Sequence, residues 1–98
     1  MTDSIYRLGE DAVFEAFDDG GLILDVNTIT FTELNITARD ILQATDGKHT
    51  LQEVANILAR EYEIDYEIAV ADVKALYEDL TNQGILVENT SQKKEEKS

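Results

Sequence analysis

The sequence contains no cysteine, no proline and no tryptophan, and it has a single histidine among 98 residues. Without cysteine the chain can form no disulfide, no thiolate nucleophile and no cysteine-ligated zinc site, and this composition favours a cytoplasmic protein. Long apolar runs are missing too, since no window approaches the roughly 18–20 residues that a membrane span needs. The first four residues, Met1 to Ser4, lack a basic segment followed by an apolar run, so we expect no secretion signal.

Basic side chains are scarce. Eight lysines and arginines stand against 21 aspartates and glutamates, which gives a net charge of −13. Such a charge repels phosphate backbones, because proteins bind these by displacing counterions with basic side chains. The sequence therefore predicts no nucleic-acid partner and no anionic membrane surface as a partner.

Catalytic groupings are also lacking. The only histidine, His49, lies in a predicted connection between helices, away from any recognisable nucleophile. Nucleophilic catalysis requires an activated side chain beside a base, and the sequence has neither that pattern nor a glycine-rich phosphate loop. We therefore expect no catalytic residue, no metal site and no cofactor.

What is present is typical of one globular domain, with 43% hydrophobic and 30% charged residues. We predict a domain over residues 1–88 and a disordered polar tail over residues 89–98. Alternating and β-branched residues predict strands over residues 12–17, 22–26 and 28–34. Gly20 and Gly21 are expected to close the first turn, and Asn27 is expected to take a left-handed conformation in the second.

From Asn35 onward the apolar period becomes helical. Asn35 is a predicted cap for a first helix that ends near Gly47, and Thr50 with Glu53 predicts a capping box for a second. A third helix is predicted over residues 66–83 and a short last strand over residues 85–87. The order predicts an α+β, winged-helix-like domain, in which a three-stranded antiparallel sheet is followed by three helices.

The third predicted strand has apolar residues on both faces. Ile29 and Phe31 point away from the face that holds Thr30, Thr32 and Leu34. Helices can cover only one face of a sheet, so an apolar pair on the other face needs a second partner. A strand with an open edge beside an apolar helix is the geometry that accepts an extended peptide by strand addition.

The chain also resembles the family of pyrroloquinoline-quinone biosynthesis protein D, known as RiPP recognition elements (RiPP: ribosomally synthesised and post-translationally modified peptide). The matching motifs, in chain order, are Leu34-Asn35, Thr37-Ala38, Ile41-Leu42, Asp46-Gly47, Thr50 with Glu53-Val54-Ala55, Leu58, Glu61-Tyr62, Asp72-Val73, Leu76, Leu80 and Gly84-Ile85-Leu86.

The resemblance implies that the chain binds the leader of a precursor peptide along the third strand and over the third helix. The partners it implies are that leader and a modifying enzyme, either a radical S-adenosylmethionine (SAM) enzyme or a leader peptidase. The peptide-binding residues that it implies are Thr28, Ile29, Thr30, Phe31, Thr32, Val73, Leu76 and Tyr77.

The sequence departs from the family at one turn. Members that serve the quinone cofactor carry a tyrosine-proline-glutamate-glycine turn where this chain has Leu24-Asp25-Val26-Asn27. This favours a stand-alone recognition protein from another peptide pathway, and the lasso-peptide and radical-enzyme pathways both stay open. The alternative is a winged-helix adaptor that binds another protein and has no peptide substrate.

Overall fold

The computed structural model describes residues 4–89, which form five strands and three helices. Their bounds, in chain order, are β1 Tyr6–Leu8, β2 Ala12–Phe17, β3 Gly20–Asp25, β4 Thr30–Leu34, α1 Ile36–Ala44, α2 Leu51–Tyr62, α3 Tyr66–Asn82 and β5 Leu86–Glu88. Strands β2, β3 and β4 form the predicted three-stranded antiparallel sheet, and the three helices follow it. The predicted α+β architecture is confirmed.

Local sequence signals set where the helices begin. The Asn35 side chain accepts the Ala38 amide at 2.8 Å, which caps α1. At α2, the Thr50 hydroxyl accepts the Glu53 amide at 3.1 Å, and the Glu53 carboxylate accepts the Thr50 amide at 2.9 Å. This is the capping box that the sequence predicts.

The β2–β3 hairpin depends on one glycine. Gly20 has a φ of +152°, and a Cβ at this position would collide with the carbonyl oxygen of Leu34 on the neighbouring strand. Any side chain there would push β4 away from β3. The absence of a Cβ at residue 20 therefore allows β4 to pair closely at the edge of the sheet.

A second, two-stranded sheet is an addition that the sequence patterns did not predict. β1 pairs antiparallel with β5, so that Arg7 lies opposite Val87 and Leu8 opposite Leu86. The last strand was predicted over residues 85–87, and β5 covers Leu86–Glu88, one residue later. The predicted tail, residues 89–98, lies outside the described residues except for Asn89, whose amide donates to the carbonyl of Ile5 at 2.7 Å.

The core lies between the inner face of the three-stranded sheet and the helices. Ile23 and Leu34 contribute from the sheet, and the helices and β5 contribute Ile41, Leu42, Val54, Ala55, Leu58, Ala69, Val73, Tyr77, Leu80 and Leu86. Within residues 4–89, no helix is both long and apolar enough to span a membrane. Because the core lies on the inner face of the sheet, the helices cover that face alone. The other face has no partner within residues 4–89.

Candidate functional site

The candidate site begins at the free edge of β4. The strand order β2-β3-β4 places β4 at one side of the sheet, and no described strand pairs with its other side. A free edge presents unpaired N–H and C=O groups that can accept another strand. Which residues supply those groups depends on the register of the sheet.

One hydrogen bond fixes that register. The amide of Val26 donates to the carbonyl of Asp11 at 2.9 Å, and these residues continue the pairing in which Ala12 lies opposite Asp25. In antiparallel sheets hydrogen-bonded and non-hydrogen-bonded pairs alternate, so Leu24 directs its backbone groups toward β2 and Ile23 directs its groups toward β4. Ile23 lies opposite Thr32.

The same alternation assigns the backbone groups of β4. Thr30, Thr32 and Leu34 direct their N–H and C=O groups inward, to β3, because they lie opposite Asp25, Ile23 and Gly21. Phe31 and Glu33 direct theirs to the free edge. Of the predicted strand residues, Phe31 therefore has the backbone groups that an added strand would bind, whereas Thr30 and Thr32 belong to the internal ladder. Glu33 was not among the predicted site residues.

Thr28 and Ile29 are not part of the strand, in contrast to the prediction. Both lie in the turn that joins β3 to β4, and the strand starts at Thr30. Ile29, not Asn27, takes the left-handed conformation, with a φ of +54°. The Asn27 amide instead bonds the carboxylate of Asp25 at 3.0 Å, and the Asn27 side-chain amide donates to Asp11 at 2.9 Å.

Isoleucine at position 29 is energetically unfavourable in that conformation. A β-branched residue in the left-handed region is a rare outlier, because its Cβ crowds the backbone. The conformation costs about 1–2 kcal/mol for such a residue. Its side chain is also 70% exposed, so no core contact offsets the strain. Strained backbone is often kept at binding sites, and here it places an exposed apolar side chain at the start of the free edge.

A cleft of about 430 Å³ adjoins the other end of β4. It begins at Asn35, the residue that follows the strand, and runs between α1 and α3. Its lining residues are Asn35, Thr37, Ala38, Ile41, Asp72, Ala75, Leu76 and Asp79. Leu76 is half-buried in its floor, as the predicted groove requires, but the helix that faces α3 across it is α1, and β4 itself supplies no lining residue.

Val73 and Tyr77 do not line this cleft. Val73 is fully buried, and Tyr77 is 2% exposed. The Tyr77 ring lies with its centroid 4.5 Å from that of Tyr6, so the unpredicted strand β1 covers it. Burial raises the pKa of the Tyr77 phenol to about 12. Both residues thus support the cleft from the core.

The charged residues of the cleft are all acidic. Asp72 and Asp79 are both exposed at its α3 side, and none of the five basic side chains among residues 4–89 lines it. The Asp79 carboxylate accepts a bond from the Gln83 side chain at 3.3 Å, on the same helix. The sequence signal for this pair was the seven-residue spacing, which puts two aspartates on one side of α3 with Leu76 between them.

The outer face of the sheet is apolar beside the free edge. Val13, Leu24 and Phe31 lie opposite one another across the three strands, and Phe31 is 60% exposed. The next row holds Glu15, Leu22 and Glu33. An added strand would therefore place alternate side chains beside Phe31 on this face and the others on the opposite face of the sheet.

Polar groups elsewhere form structural contacts. His49 Nδ1 lies 3.0 Å from the Asp46 carboxylate, which also accepts the backbone amides of Lys48 and His49. These amide bonds, with that of Lys48 foremost, lower the pKa of Asp46 to about 2. No group of three or more metal-ligating side chains converges within residues 4–89.

A network of hydrogen bonds holds the hairpin over the helices. The guanidinium of Arg39 donates to the carbonyls of Phe17 and Asp18 at 2.6 and 3.0 Å, and it pairs with Asp40 at 2.9 Å. The Tyr62 hydroxyl donates to the other oxygen of Asp40 at 2.7 Å. This chain of contacts links the β2–β3 turn to α1 and α2, and so fixes how the sheet sits relative to the cleft.

The family model described as "Coenzyme PQQ synthesis protein D (PqqD)" matches residues 20–86. No curated protein sequence matches the chain. Among solved structures, lasso peptide synthetase B1 complexed with the leader peptide is 30% identical, with a TM-score of 0.75 over 84% of this chain and 96% of that one.

Two further solved structures share the fold. TbiB1 in complex with the TbiA(beta) leader peptide is 20% identical, with a TM-score of 0.75 over 82% of this chain and 93% of that one. The PqqD truncation of Methylobacterium extorquens PqqCD, described as a functional and stand-alone RiPP recognition element, is 22% identical. Its TM-score is 0.72 over 85% of this chain and 88% of that one.

Proposed function

The chain belongs to the PqqD family, and on that basis we propose that it binds the leader segment of a ribosomally made precursor peptide along the free edge of β4. The observation that carries the proposal is the outward direction of the Phe31 and Glu33 backbone groups, next to a cleft that starts where β4 ends. A leader in extended conformation would pair with these groups as a fourth strand of the sheet.

Main-chain pairing explains affinity but not selectivity. Each added hydrogen bond contributes roughly 0.5–1.5 kcal/mol net, whatever the peptide sequence. Selectivity must come from side chains that meet Phe31 on the outer face and Leu76 in the cleft. We therefore propose Phe31, Glu33 and Leu76 as the residues of the site that contact the leader, with Ile29 at its entrance.

We also propose that the bound leader is presented to a modifying enzyme and that this chain itself catalyses nothing. The 30% identity to lasso peptide synthetase B1 favours a lasso-type pathway with a leader peptidase over a radical SAM enzyme. The divergent turn at Leu24 to Asn27 agrees with a pathway other than that of the quinone cofactor. We propose that the complex forms in the cytoplasm, and the cysteine-free composition agrees with that compartment.

The experiment is a titration of ¹⁵N-labelled protein with a synthetic peptide that spans the leader of the precursor encoded beside this chain. The amides of Phe31 and Glu33 should shift and become protected from hydrogen exchange. Phe14 and Ala16, whose backbone groups face the opposite free edge on β2, should show no protection. Protection at β2 and not at β4 would contradict the proposed site.

Matched proline variants test the same point by affinity. Glu33→Pro removes an outward amide on β4 and should weaken peptide binding about tenfold, because it removes at least one edge bond and disturbs its neighbour. Ala16→Pro removes an outward amide on β2 and should bind normally. Glu33→Gln controls for the lost charge and should also bind normally. An adaptor without a peptide substrate would show no binding to any variant or to the unaltered protein.

A further inference from the structure

We infer that the leader bound by this protein carries an aliphatic side chain with one basic side chain on each side of it. The two basic side chains pair with Asp72 and Asp79, and the aliphatic side chain lies at Leu76 between them. The inference rests on the proposed function, because it specifies the chemistry of the peptide at the same site. It is carried by the charge and the spacing of the residues that line the cleft.

The cleft combines an apolar floor with acidic walls. Leu76, Ile41 and Ala38 supply carbon atoms that favour an aliphatic side chain, while Asp72 and Asp79 are exposed at the α3 side. None of the residues that line the cleft is basic. A peptide with acidic residues here would meet like charges in a partly dehydrated space, whereas lysine or arginine would gain charge-assisted hydrogen bonds.

The two aspartates are free to bind a ligand. Within residues 4–89, Asp72 makes no hydrogen bond or ion pair with a side chain. Asp79 has only the 3.3 Å bond from Gln83, which leaves its second oxygen available. Exposed aspartates can exchange water for a basic group without breaking a contact that the fold needs.

Their spacing sets the spacing in the peptide. Asp72 and Asp79 are seven residues apart, so they lie on one side of α3 and about 10 Å from each other along its axis. An extended chain rises about 3.3 Å per residue, so this distance corresponds to about three residues. Side chains of an extended peptide share a face every second residue, and lysine or arginine can bridge the remainder. We therefore expect basic residues four positions apart with the aliphatic residue midway between them, because only this spacing puts all three side chains on one face of the peptide.

The net charge of the whole molecule also favours a basic peptide. Residues 1–90 carry nineteen acidic and five basic side chains, so a basic peptide is attracted from a distance as well as at the cleft. This attraction alone would not distinguish one acidic site from another. The experiment must therefore separate the cleft aspartates from acidic residues elsewhere.

The test selects binders from a displayed library of random 20-residue peptides on the immobilised full chain at 150 mM NaCl. The unaltered protein should enrich peptides with paired basic residues around an aliphatic one. The Asp72→Asn/Asp79→Asn variant should lose the basic preference and keep the aliphatic preference. The control Glu67→Gln/Glu78→Gln removes equal charge from exposed residues that lie about 100–140° around the same helix from the two aspartates, and it should select the same peptides as the unaltered protein.

One enriched peptide is then measured in solution. Each aspartate substitution should weaken its binding up to about fivefold, as expected for a partly exposed ion pair. The control variant should lie within twofold of the unaltered protein. Thermal melting of each variant should match the unaltered protein, because all four residues are exposed.

The outcomes separate this inference from the proposed function. Enrichment of neutral or acidic peptides that still protect the Phe31 and Glu33 amides would overturn the inference and leave strand addition standing. An equal loss of basic preference in the control variant would also overturn it, because the cleft would then have no special role. Failure to select any binder with any variant would overturn the proposed function itself.

Discussion

The hydroxyl of Tyr77 lies 2.6 Å from the hydroxyl of Thr45 inside the core, and this contact joins the end of α1 to the middle of α3. Thr45 donates its only hydroxyl proton to the carbonyl of Ile41 at 2.7 Å, so Tyr77 must be the donor in the shared bond. Both side chains are almost fully buried. The two helices that bound the cleft are therefore tied together beneath it.

Removing the two partners should have unequal effects. Thr45→Val leaves the buried Tyr77 hydroxyl without an acceptor and should lower the free energy of unfolding by about 1–3 kcal/mol. Tyr77→Phe leaves Thr45 bonded to Ile41 and should cost only about 1 kcal/mol. Urea unfolding of both variants and of the double variant checks this. A larger cost for Tyr77→Phe than for Thr45→Val would contradict this account of the contact.

Tyr77→Phe also tests the role of this residue in binding. Because the Tyr77 ring is covered by Tyr6 and its hydroxyl faces Thr45, the folded variant should bind the leader peptide as tightly as the unaltered protein. The same titration with Leu76→Ser should show weaker binding, since Leu76 lies in the cleft floor. Circular dichroism would establish that both variants are folded.

Proline substitutions in β4 should alternate in their effect on folding. Thr32→Pro removes an amide that bonds Ile23 within the sheet and should destabilise the domain by about 1–3 kcal/mol. Glu33→Pro removes an amide that faces the free edge and should leave the melting temperature nearly unchanged. If both variants were equally destabilised, the register derived from the Val26–Asp11 bond would be wrong.

Relief of the strained turn should stabilise the protein. Ile29→Asn replaces a β-branched residue at a φ of +54° with one that tolerates the left-handed region, and we expect a gain of about 1 kcal/mol. Thr28→Asn, in the same turn but without a positive φ, serves as the control and should bring no gain. Thermal melting measures both. If Ile29 contacts the leader, Ile29→Asn should bind it more weakly in spite of the greater stability.

The Asp46 turn should weaken in acid. The folded-state pKa of Asp46 is lowered from 3.8 to about 2, so its contribution is complete above pH 4 and is lost as the pH falls toward 2. We expect Asp46→Ala to be less stable than the unaltered protein at pH 6 and the difference to shrink at pH 2.5. Because the carboxylate is largely exposed, the difference should be modest at any pH. If the difference in stability between the two proteins stayed constant with pH, side-chain packing and not the charge of Asp46 would account for it.

The sequence by itself determined the local structure. Asn35, Thr50 with Glu53, and Gly84 act through hydrogen bonds or φ angles that involve only their own neighbours, so the starts of α1 and α2 and the range of α3 could be predicted to within one residue. The end of α1 could not, because the helix stops at Ala44 and not near Gly47. The order of strands and helices then sufficed for the α+β architecture, and the family motifs sufficed for the resemblance that the comparisons confirm. Phe31 was also correctly placed on the outer face, because strand side chains alternate with a period of two.

Only the tertiary structure decided which residues form the site. The helical period of α3 put Val73, Leu76 and Tyr77 on one apolar stripe, but a periodic pattern does not say which part of a stripe another element covers. Strand β1 covers Tyr77 through Tyr6, and it was not predicted because three residues form a strand only when a distant partner, β5, is present. The free-edge groups of Phe31 and Glu33 depended likewise on a single long-range bond, from Val26 to Asp11, whose register no local signal determines.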